Sequence, residues 1–197
     1  MFTLFNWMCW STVIIIFFIS GVYNVINGPK IIKHRYKNNF VWITIPILLA
    51  AIVELLNYEN IHFIISYHKT WLSVIGLLLL LSGTVFSLWS RWSLGRIWTI
   101  SATIKEGHKL VTSGPYFVSR NPIYTGLLTM LLGSVLINGF RSLFYYFIVA
   151  IITFEIKIIA EEKILIEEFG DEYLNYKKRI PRLVPNILNG IKNGINL

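Results

Sequence analysis

Five long apolar segments dominate this chain of 197 residues. A helix that crosses a bilayer needs about 20 mostly apolar residues, and each segment is close to that length. Only 14% of the residues are charged, whereas a soluble domain carries about 25%. The sequence therefore predicts an all-α integral membrane protein with about five transmembrane helices. The predicted spans are residues 7–26, 40–57, 71–92, 122–138 and 143–160.

Lys and Arg residues are concentrated in alternate connections between these spans. The first-to-second and third-to-fourth connections are rich in them, whereas the other two hold only Lys69 and Arg141 respectively. The positive-inside rule then places the N-terminus outside and the C-terminus in the cytoplasm. The net charge of +8 is explained by this topology and by anionic lipid headgroups, so it does not indicate nucleic-acid binding.

Most of the remaining polar residues fall in two segments, 93–121 and 161–185, on the predicted cytoplasmic side. We expect one structural domain, with residues 1–92 as membrane anchor helices and 93–197 as the half that carries the site. A pocket would form there between the connection of helices three and four and the C-terminal helices. Whether 93–121 closes over that pocket as a lid stays open.

The stretch GPYFVSRNPIYTG, residues 114–126, breaks the chain just before the fourth span. Asn121 suits a helix N-cap and Pro122 suits the first helical position. The free N–H groups at such a helix start favour a negatively charged group nearby. An interfacial loop with aromatic residues and a snorkelling Arg120 explains the same residues without a binding site.

A second stretch, residues 154–185, places charged residues at the end of the fifth span, where they are costly unless they face a partner or a cavity. Lys157 and Glu161 are four apart and share a helix face, and Glu155 and Glu162, seven apart, share another. Gly170 is placed to end this helix. A solvated amphipathic helix is the alternative. The histidines lack metal-ligand spacing, so we predict no metal site.

Both stretches resemble one known family. HKLVTSGPYFVSRNPIYTG followed by EEKILIEEFGDEYLNYKKRIPRLVP is similar to the isoprenylcysteine carboxyl methyltransferases, which are related to phospholipid N-methyltransferases and include bacterial and archaeal integral membrane enzymes. The resemblance covers residues 94–185. It implies an S-adenosylmethionine-dependent methyltransferase in the cytoplasmic membrane of a prokaryote. It also implies a hydrophobic or lipid acceptor that enters from the bilayer, with membrane lipids as the other partners.

The resemblance also implies roles for individual residues. Arg120 or Lys157 would orient a carboxylate acceptor, whereas an amine or hydroxyl acceptor would need a base, for which Glu162 is the candidate. This chain has Asn121 where the eukaryotic enzymes have His, and Lys157 where they have Arg, so the acceptor stays open. The implied cofactor-binding residues are His108, Lys109, Leu110, Val111, Tyr116, Asn121, Pro122, Ile123, Tyr124 and Glu161.

Two other functions remain as alternatives. An NADPH-dependent membrane reductase of the sterol reductase type has a similar R-x-P-x-Y turn, and a scaffold without activity would need no clustered polar residues. The GPY and FGDEY…YKKRIPR features favour the methyltransferase. Gly76 and Gly83 of the third span are not spaced as G-x-x-x-G, so no dimer face stands out and the sequence does not predict an oligomeric state.

Overall fold

The computed structural model describes residues 2–34, 70–99, 103–138 and 142–183. These residues are mostly helical, as predicted, and the second predicted span, 40–57, lies outside them. Among the described residues, Phe2–Ile26 and Thr70–Ile97 are long and apolar enough to cross a membrane, and Pro122–Asn138 is a shorter apolar helix. The elements in chain order are α1 (Phe2–Ile26), β1 (Ile31–His34), α2 (Thr70–Leu94), a 3-10 turn (Gly95–Ile97), β2 (Thr103–Lys105), a second 3-10 turn (Gly114–Phe117), α3 (Pro122–Asn138) and α4 (Ser142–Arg179).

Helix α4 continues well beyond the predicted fifth span and bends once. At Gly170 the backbone has φ 49° and ψ −123°, which is not helical. This positive φ is readily adopted only by glycine, so the prediction that Gly170 ends the helix is confirmed. The bend divides α4 into a long segment, 142–169, and a short segment, 171–179, that folds back toward the loop before α3.

Helices α2 and α3 cross closely through two pairs of glycines. A Cβ atom on Gly83 would lie 2.6 Å from the carbonyl oxygen of Gly126, and one on Gly133 would lie 2.5 Å from that of Gly76. The glycines are spaced by seven residues on both helices. The hydrophobic effect does not drive helices together within lipid. Close van der Waals packing, which small residues allow, stabilises their contact instead. The glycines of α2 therefore form a contact within the chain.

Helix α1 joins this pair through a mixed apolar and polar contact. The indole Nε1 of Trp10 donates a hydrogen bond to Ser134 Oγ at 3.0 Å, and Ser134 Oγ donates to Asn6 Oδ1 at 2.6 Å. These bonds fix the rotation of α1 against α3. The apolar core around them consists of Cys9, Val13, Leu80, Met130 and Ile137.

A small antiparallel sheet corrects the purely helical prediction. Strands β1 and β2 pair Ile31 with Lys105, Lys33 with Ile104 and His34 with Thr103, with an irregularity between Ile31 and Lys33. Strands this short are too brief to show an alternating sequence pattern. Their formation depends on pairing with the partner strand, which lies far away in the sequence. The sheet ties the segment after α1 to the segment before α3.

Two buried cations stabilise the helix ends beside this sheet. Lys105 is 1% exposed, and its Nζ donates to the carbonyl oxygens of Asn24 at 3.0 Å and Arg96 at 2.9 Å. Arg91 donates from Nη1 to the carbonyl of Gly95 at 2.9 Å. These carbonyls lie at the C-terminal end of α1 and in the 3-10 turn that directly follows α2, where the helix dipole favours positive charge. The helix ends therefore take the place of carboxylate partners.

Candidate active site

A cavity of about 480 Å³ lies between α1, the segment from Leu94 to α3, and α4. This size is typical of a small-molecule pocket. Its polar lining residues come from the 99–124 segment and α4, whereas those from α1 are all apolar, and we call these the polar and the apolar side. The predicted site residues that line it are His108, Tyr116, Arg120, Asn121, Ile123, Tyr124, Lys157 and Glu161, and those that do not are Lys109, Leu110, Val111, Pro122 and Glu162.

Glu161, Tyr124 and Lys157 form a contact group on the polar side. Tyr124 donates its hydroxyl hydrogen to Glu161 Oε1 at 2.8 Å, and Lys157 Nζ lies 4.0 Å from the same oxygen. Lys157 Nζ also lies 5.5 Å from the centre of the Tyr124 ring. Glu161 follows the fifth predicted span, and burial raises its pKa, although Lys157 and the Tyr124 hydroxyl partly offset that effect. The predicted shared face of Lys157 and Glu161 is confirmed.

His108 presents an unpaired nitrogen at this cavity. Its Nδ1 is buried and has no hydrogen-bond partner within the described part of the chain. The ring packs edge-on against Phe169, with 5.6 Å between centres. Burial lowers the pKa of His108, which keeps the imidazole neutral near pH 7. Buried polar atoms without partners are rare in native structures, so Nδ1 suits a hydrogen bond to a ligand.

The short segment of α4 holds the backbone of Tyr116 through a hydrogen bond. The hydroxyl of Tyr176 donates to the carbonyl oxygen of Tyr116 at 2.5 Å. Tyr116 is buried, and burial followed by the charge of Glu161 raises the pKa of its hydroxyl. The phenol therefore stays protonated and offers a donor and a flat face rather than a base.

Glu162 lies behind the cavity wall in a cluster of cations. Its side chain is 3% exposed. Arg120 donates to Oε1 from Nε at 3.1 Å and from Nη2 at 2.8 Å, while Arg182 Nη2 and Lys177 Nζ each lie 3.2 Å from Oε2. Burial alone would raise the pKa of Glu162, but the hydrogen bonds and charges of Arg120 and Arg182 lower it overall. This placement disfavours the predicted role of Glu162 as a base.

Arg120 reaches the cavity, but its donors are committed elsewhere. Besides Glu162, its Nη1 donates to the carbonyl oxygens of Lys177, at 3.0 Å, and Ile180. The Tyr173 hydroxyl is also within hydrogen-bonding reach of Arg120. Arg120 thus caps the C-terminal end of α4 and pairs with Glu162, which disfavours its predicted contact with an acceptor carboxylate.

Asn121 lines the cavity but does not cap α3 with its side chain. Its backbone N and its Nδ2 both donate to the carbonyl oxygen of Arg182 at 3.2 Å. Pro122 is the first residue of α3, as predicted, and is buried beneath the cavity wall. Leu110 packs against Tyr176 and its neighbours rather than against the cavity. Lys109 is exposed and Val111 is half-buried.

The apolar side of the cavity was not predicted. It includes Ile14, Phe17 and Phe18 from α1. Trp98 also lines it, with its ring 5.3 Å from that of Phe17 in an edge-to-face contact and 4.5 Å from the Arg91 guanidinium. No sequence signal distinguishes these α1 positions, because residues 13–19 are all apolar and periodicity alone cannot separate a lipid-facing side from a cavity-facing side.

Comparison with known proteins places this architecture in a family. Residues 71–172 match the family of phospholipid methyltransferases. The chain is 36% identical over 126 residues to the protein-S-isoprenylcysteine O-methyltransferase of Xenopus laevis, covering 62% of this chain and 43% of that protein. It is 32% identical to protein-S-isoprenylcysteine O-methyltransferase B of Arabidopsis thaliana, with 70% and 72% coverage, and 30% identical to form A of that plant, with 85% and 82% coverage.

A solved structure has a similar fold. The eukaryotic intramembrane Ras methyltransferase, an isoprenylcysteine carboxyl methyltransferase, superposes with a TM-score of 0.54 at 21% identity over 79% of this chain and 55% of that chain. The chain spans less than half the length of the frog protein and of its rat counterpart. The resemblance carried by the two motifs is confirmed. The chain belongs to the phospholipid methyltransferase family, and the relatives compared above are protein-S-isoprenylcysteine O-methyltransferases.

Proposed function

We propose that this protein transfers a methyl group from S-adenosylmethionine to a carboxylate on a hydrophobic, prenylcysteine-like acceptor. The observation that carries the proposal is the two-sided cavity, with polar residues of the 108–124 segment and α4 facing the apolar residues of α1. Such a cavity suits a water-soluble donor on one side and a membrane-borne acceptor on the other. The names of the relatives support the same reaction.

The polar side fits the donor. The unpaired His108 Nδ1 is placed for a hydrogen bond, Tyr116 and Tyr124 offer flat faces for an adenine, and Glu161 offers an acceptor for an amino or hydroxyl group. Asn121 is a further polar residue that lines this side of the cavity. When bound, S-adenosylmethionine supplies an electrophilic methyl carbon on a sulfonium. The protein's own residues would align the two reactants and exclude water, which are the main demands of an in-line displacement.

Lys157 is the residue we assign to the acceptor. Its Nζ lies on the cavity wall, 4.0 Å from Glu161, whereas the guanidinium of Arg120 is held by Glu162 and two carbonyl groups. A carboxylate is already a nucleophile, so a cation that orients it suffices and no base is required. A lysine provides one point charge rather than the bidentate fork of arginine. We accordingly assign Arg120 and Glu162 to supporting roles.

The apolar side would hold the lipid part of the acceptor. Ile14 and Phe18 of α1 both line the cavity and are largely exposed, at 61% and 66%. A prenyl chain could therefore reach the cavity beside α1 from the bilayer. We infer an integral membrane protein of the cytoplasmic membrane of a prokaryote, with the N-terminus outside and the cavity on the cytoplasmic side.

Calorimetric binding of S-adenosylhomocysteine to detergent-purified protein tests the donor. We expect binding that is weakened at least about tenfold in Glu161→Gln, since a hydrogen bond to a charged group is lost. Glu172→Gln, on an exposed carboxylate of α4, is the matched control and should bind normally. Binding of NADPH instead of S-adenosylhomocysteine would overturn the proposal in favour of a reductase.

The acceptor is tested separately with N-acetyl-S-farnesylcysteine and radiolabelled donor. A carboxyl methyl ester releases its label as methanol in base, whereas a methylamine or a methyl ether does not. Base-labile label is the expected result. Donor binding without such label would overturn the carboxylate assignment while leaving the donor site in place.

A further inference from the structure

Residues 180–183 lie beside the start of α3 and are hydrogen-bonded to it. We define residues 180–183 as the C-terminal strap. The backbone N of Arg120 donates to the carbonyl oxygen of Pro181 at 2.9 Å, and that of Asn121 donates to Arg182 at 3.2 Å. Thr125 Oγ1 donates to the carbonyl oxygen of Leu183 at 2.6 Å. The strap therefore contacts the two residues that precede α3, both of which line the cavity.

Side chains fasten the strap to α4 at the same place. Arg182 donates from Nη1 to Glu155 Oε2 at 2.9 Å and from Nη2 to Glu162 Oε2 at 3.2 Å. Glu162 in turn binds Arg120 through its other oxygen. One buried carboxylate thus connects the strap, the long segment of α4 and the residue before Asn121.

An apolar contact continues this attachment. Tyr173, Tyr176 and Ile180 form a buried cluster against which Leu110 and Phe117 pack. The cluster lies on the same loop that presents His108 and Tyr116 to the cavity. The short segment of α4 and the strap therefore help to fix this loop and the start of α3, together with Glu162 and Phe169 of the long segment.

We propose that Arg182 and Glu162 are positioning residues, which hold the strap against the start of α3 and thereby set Asn121 and Tyr116 at the cavity wall for the donor. The identity of that donor rests on the proposed function. Buried ion pairs add little net stability because desolvation offsets their attraction, but they can fix one arrangement among several. The arrangement fixed here is that of the donor side of the cavity.

The first test compares Arg182→Ala and Arg182→Lys with Arg179→Ala, which changes an exposed arginine on α4 that donates a hydrogen bond to the carbonyl oxygen of Asn175 in its own helix. The readouts are amide hydrogen exchange of residues 119–125 without ligand and the dissociation constant of S-adenosylhomocysteine. In Arg182→Ala we expect faster exchange confined to 119–125 and binding weakened about tenfold or more, because the binding groups are misplaced. Arg182→Lys should recover part of both, since one ion pair can re-form.

The second test separates positioning from general stability. In Arg182→Ala the KM for the donor should rise while the KM for the farnesylcysteine acceptor and kcat at saturating donor stay near those of the parent protein. Unchanged exchange at 119–125, or faster exchange spread equally over α1 and α2, would overturn the inference. A parent protein that binds no S-adenosylhomocysteine would instead overturn the proposed function, and the exchange result would still decide on the strap.

Discussion

The hydroxyl of Tyr124 donates a hydrogen bond to Oε1 of Glu161 at 2.8 Å and so joins α3 to α4 at the cavity wall. Phe154 packs on the Tyr124 ring, 5.0 Å between centres, so the phenol is held by its ring as well as its hydroxyl. The bond keeps the Glu161 carboxylate in one orientation toward the cavity. Preorganisation of this kind lowers the cost of ordering a ligand.

Tyr124→Phe removes this hydrogen bond while keeping the packed ring. A hydrogen bond to a charged group contributes about 1.5–3 kcal/mol, and Glu161 is partly exposed, so we expect about a tenfold loss in affinity for S-adenosylhomocysteine. Calorimetry measures it. Tyr23→Phe, on an exposed tyrosine of α1, is the control. Equal affinity in Tyr124→Phe and the parent would show that the bond does not organise the donor site.

Lys157→Met should weaken the binding of the acceptor without weakening the binding of the donor. The change keeps most of the unbranched side chain but removes the charge proposed to orient a carboxylate, so the acceptor KM should rise about tenfold or more. Lys157→Arg should restore the acceptor KM through a bidentate contact. Steady-state assays with each substrate varied give both constants.

Lys163→Met, on an exposed lysine of α4, is the matched control for that experiment. An acceptor KM that is the same in Lys157→Met as in Lys163→Met would remove Lys157 from the acceptor site. A rise in the donor KM alone would instead assign Lys157 to the donor site.

Gly83→Leu should destabilise the contact between α2 and α3. The new side chain would meet the carbonyl oxygen of Gly126, a rigid backbone atom, at a distance no real Cβ tolerates. Overpacking of this kind costs about 1–3 kcal/mol, with more where backbones must separate. Thermal unfolding in detergent should show a lower Tm. Ser82→Leu, one residue away on the exposed face, should leave the Tm nearly unchanged.

Lys105→Met should destabilise the ends of α1 and α2. The variant keeps the buried aliphatic chain but leaves the carbonyl oxygens of Asn24 and Arg96 without their donor. Buried unsatisfied groups cost about 1–3 kcal/mol each, so the Tm should fall clearly. Lys109→Met, on an exposed lysine of the same segment, should not lower it. If both variants unfold at the same temperature, the bonds from Lys105 add nothing to stability.

The elements that sequence predicted well are those with a local cause. The Asn121–Pro122 pair marked the start of α3, an apolar run marked α2, and Gly170 marked the bend in α4 because only the backbone preferences of these residues were needed. Helical spacing likewise placed Glu155 and Glu162 on one face, and both indeed bind Arg182.

The features that sequence did not predict depend on distant partners. The sequence made Glu162 the candidate base, and nothing local indicated that Arg120, 42 residues earlier, would pair with it. The contribution of α1 to the cavity and the pairing of β1 with β2 have the same origin. Such contacts arise from packing of the chain as a whole, which periodicity along one segment does not record.

The two neighbouring carboxylates, Glu161 and Glu162, should give opposite pH dependences of stability. The pKa of Glu162 is lowered in the folded protein, so its charge stabilises the fold above the ordinary pKa of 4.5, and this contribution is lost as pH falls through the lowered value. Near neutral pH, Glu162→Gln should therefore have a lower Tm than the parent. The difference should shrink as the pH falls from the ordinary value toward the lowered value, below which the carboxyl of the folded parent is itself protonated.

For Glu161 the sign is reversed, because burial raises its pKa and its charge opposes folding above that raised value. Near neutral pH, Glu161→Gln should have a Tm equal to or above that of the parent, and acid should again remove the difference. Melting curves of the three proteins in one detergent, taken from neutral pH to below the ordinary carboxyl pKa, measure both effects. If Glu161→Gln were destabilised as strongly as Glu162→Gln, the two carboxylates would share one structural role, and Glu161 would lose its distinction as the carboxylate kept available for a ligand.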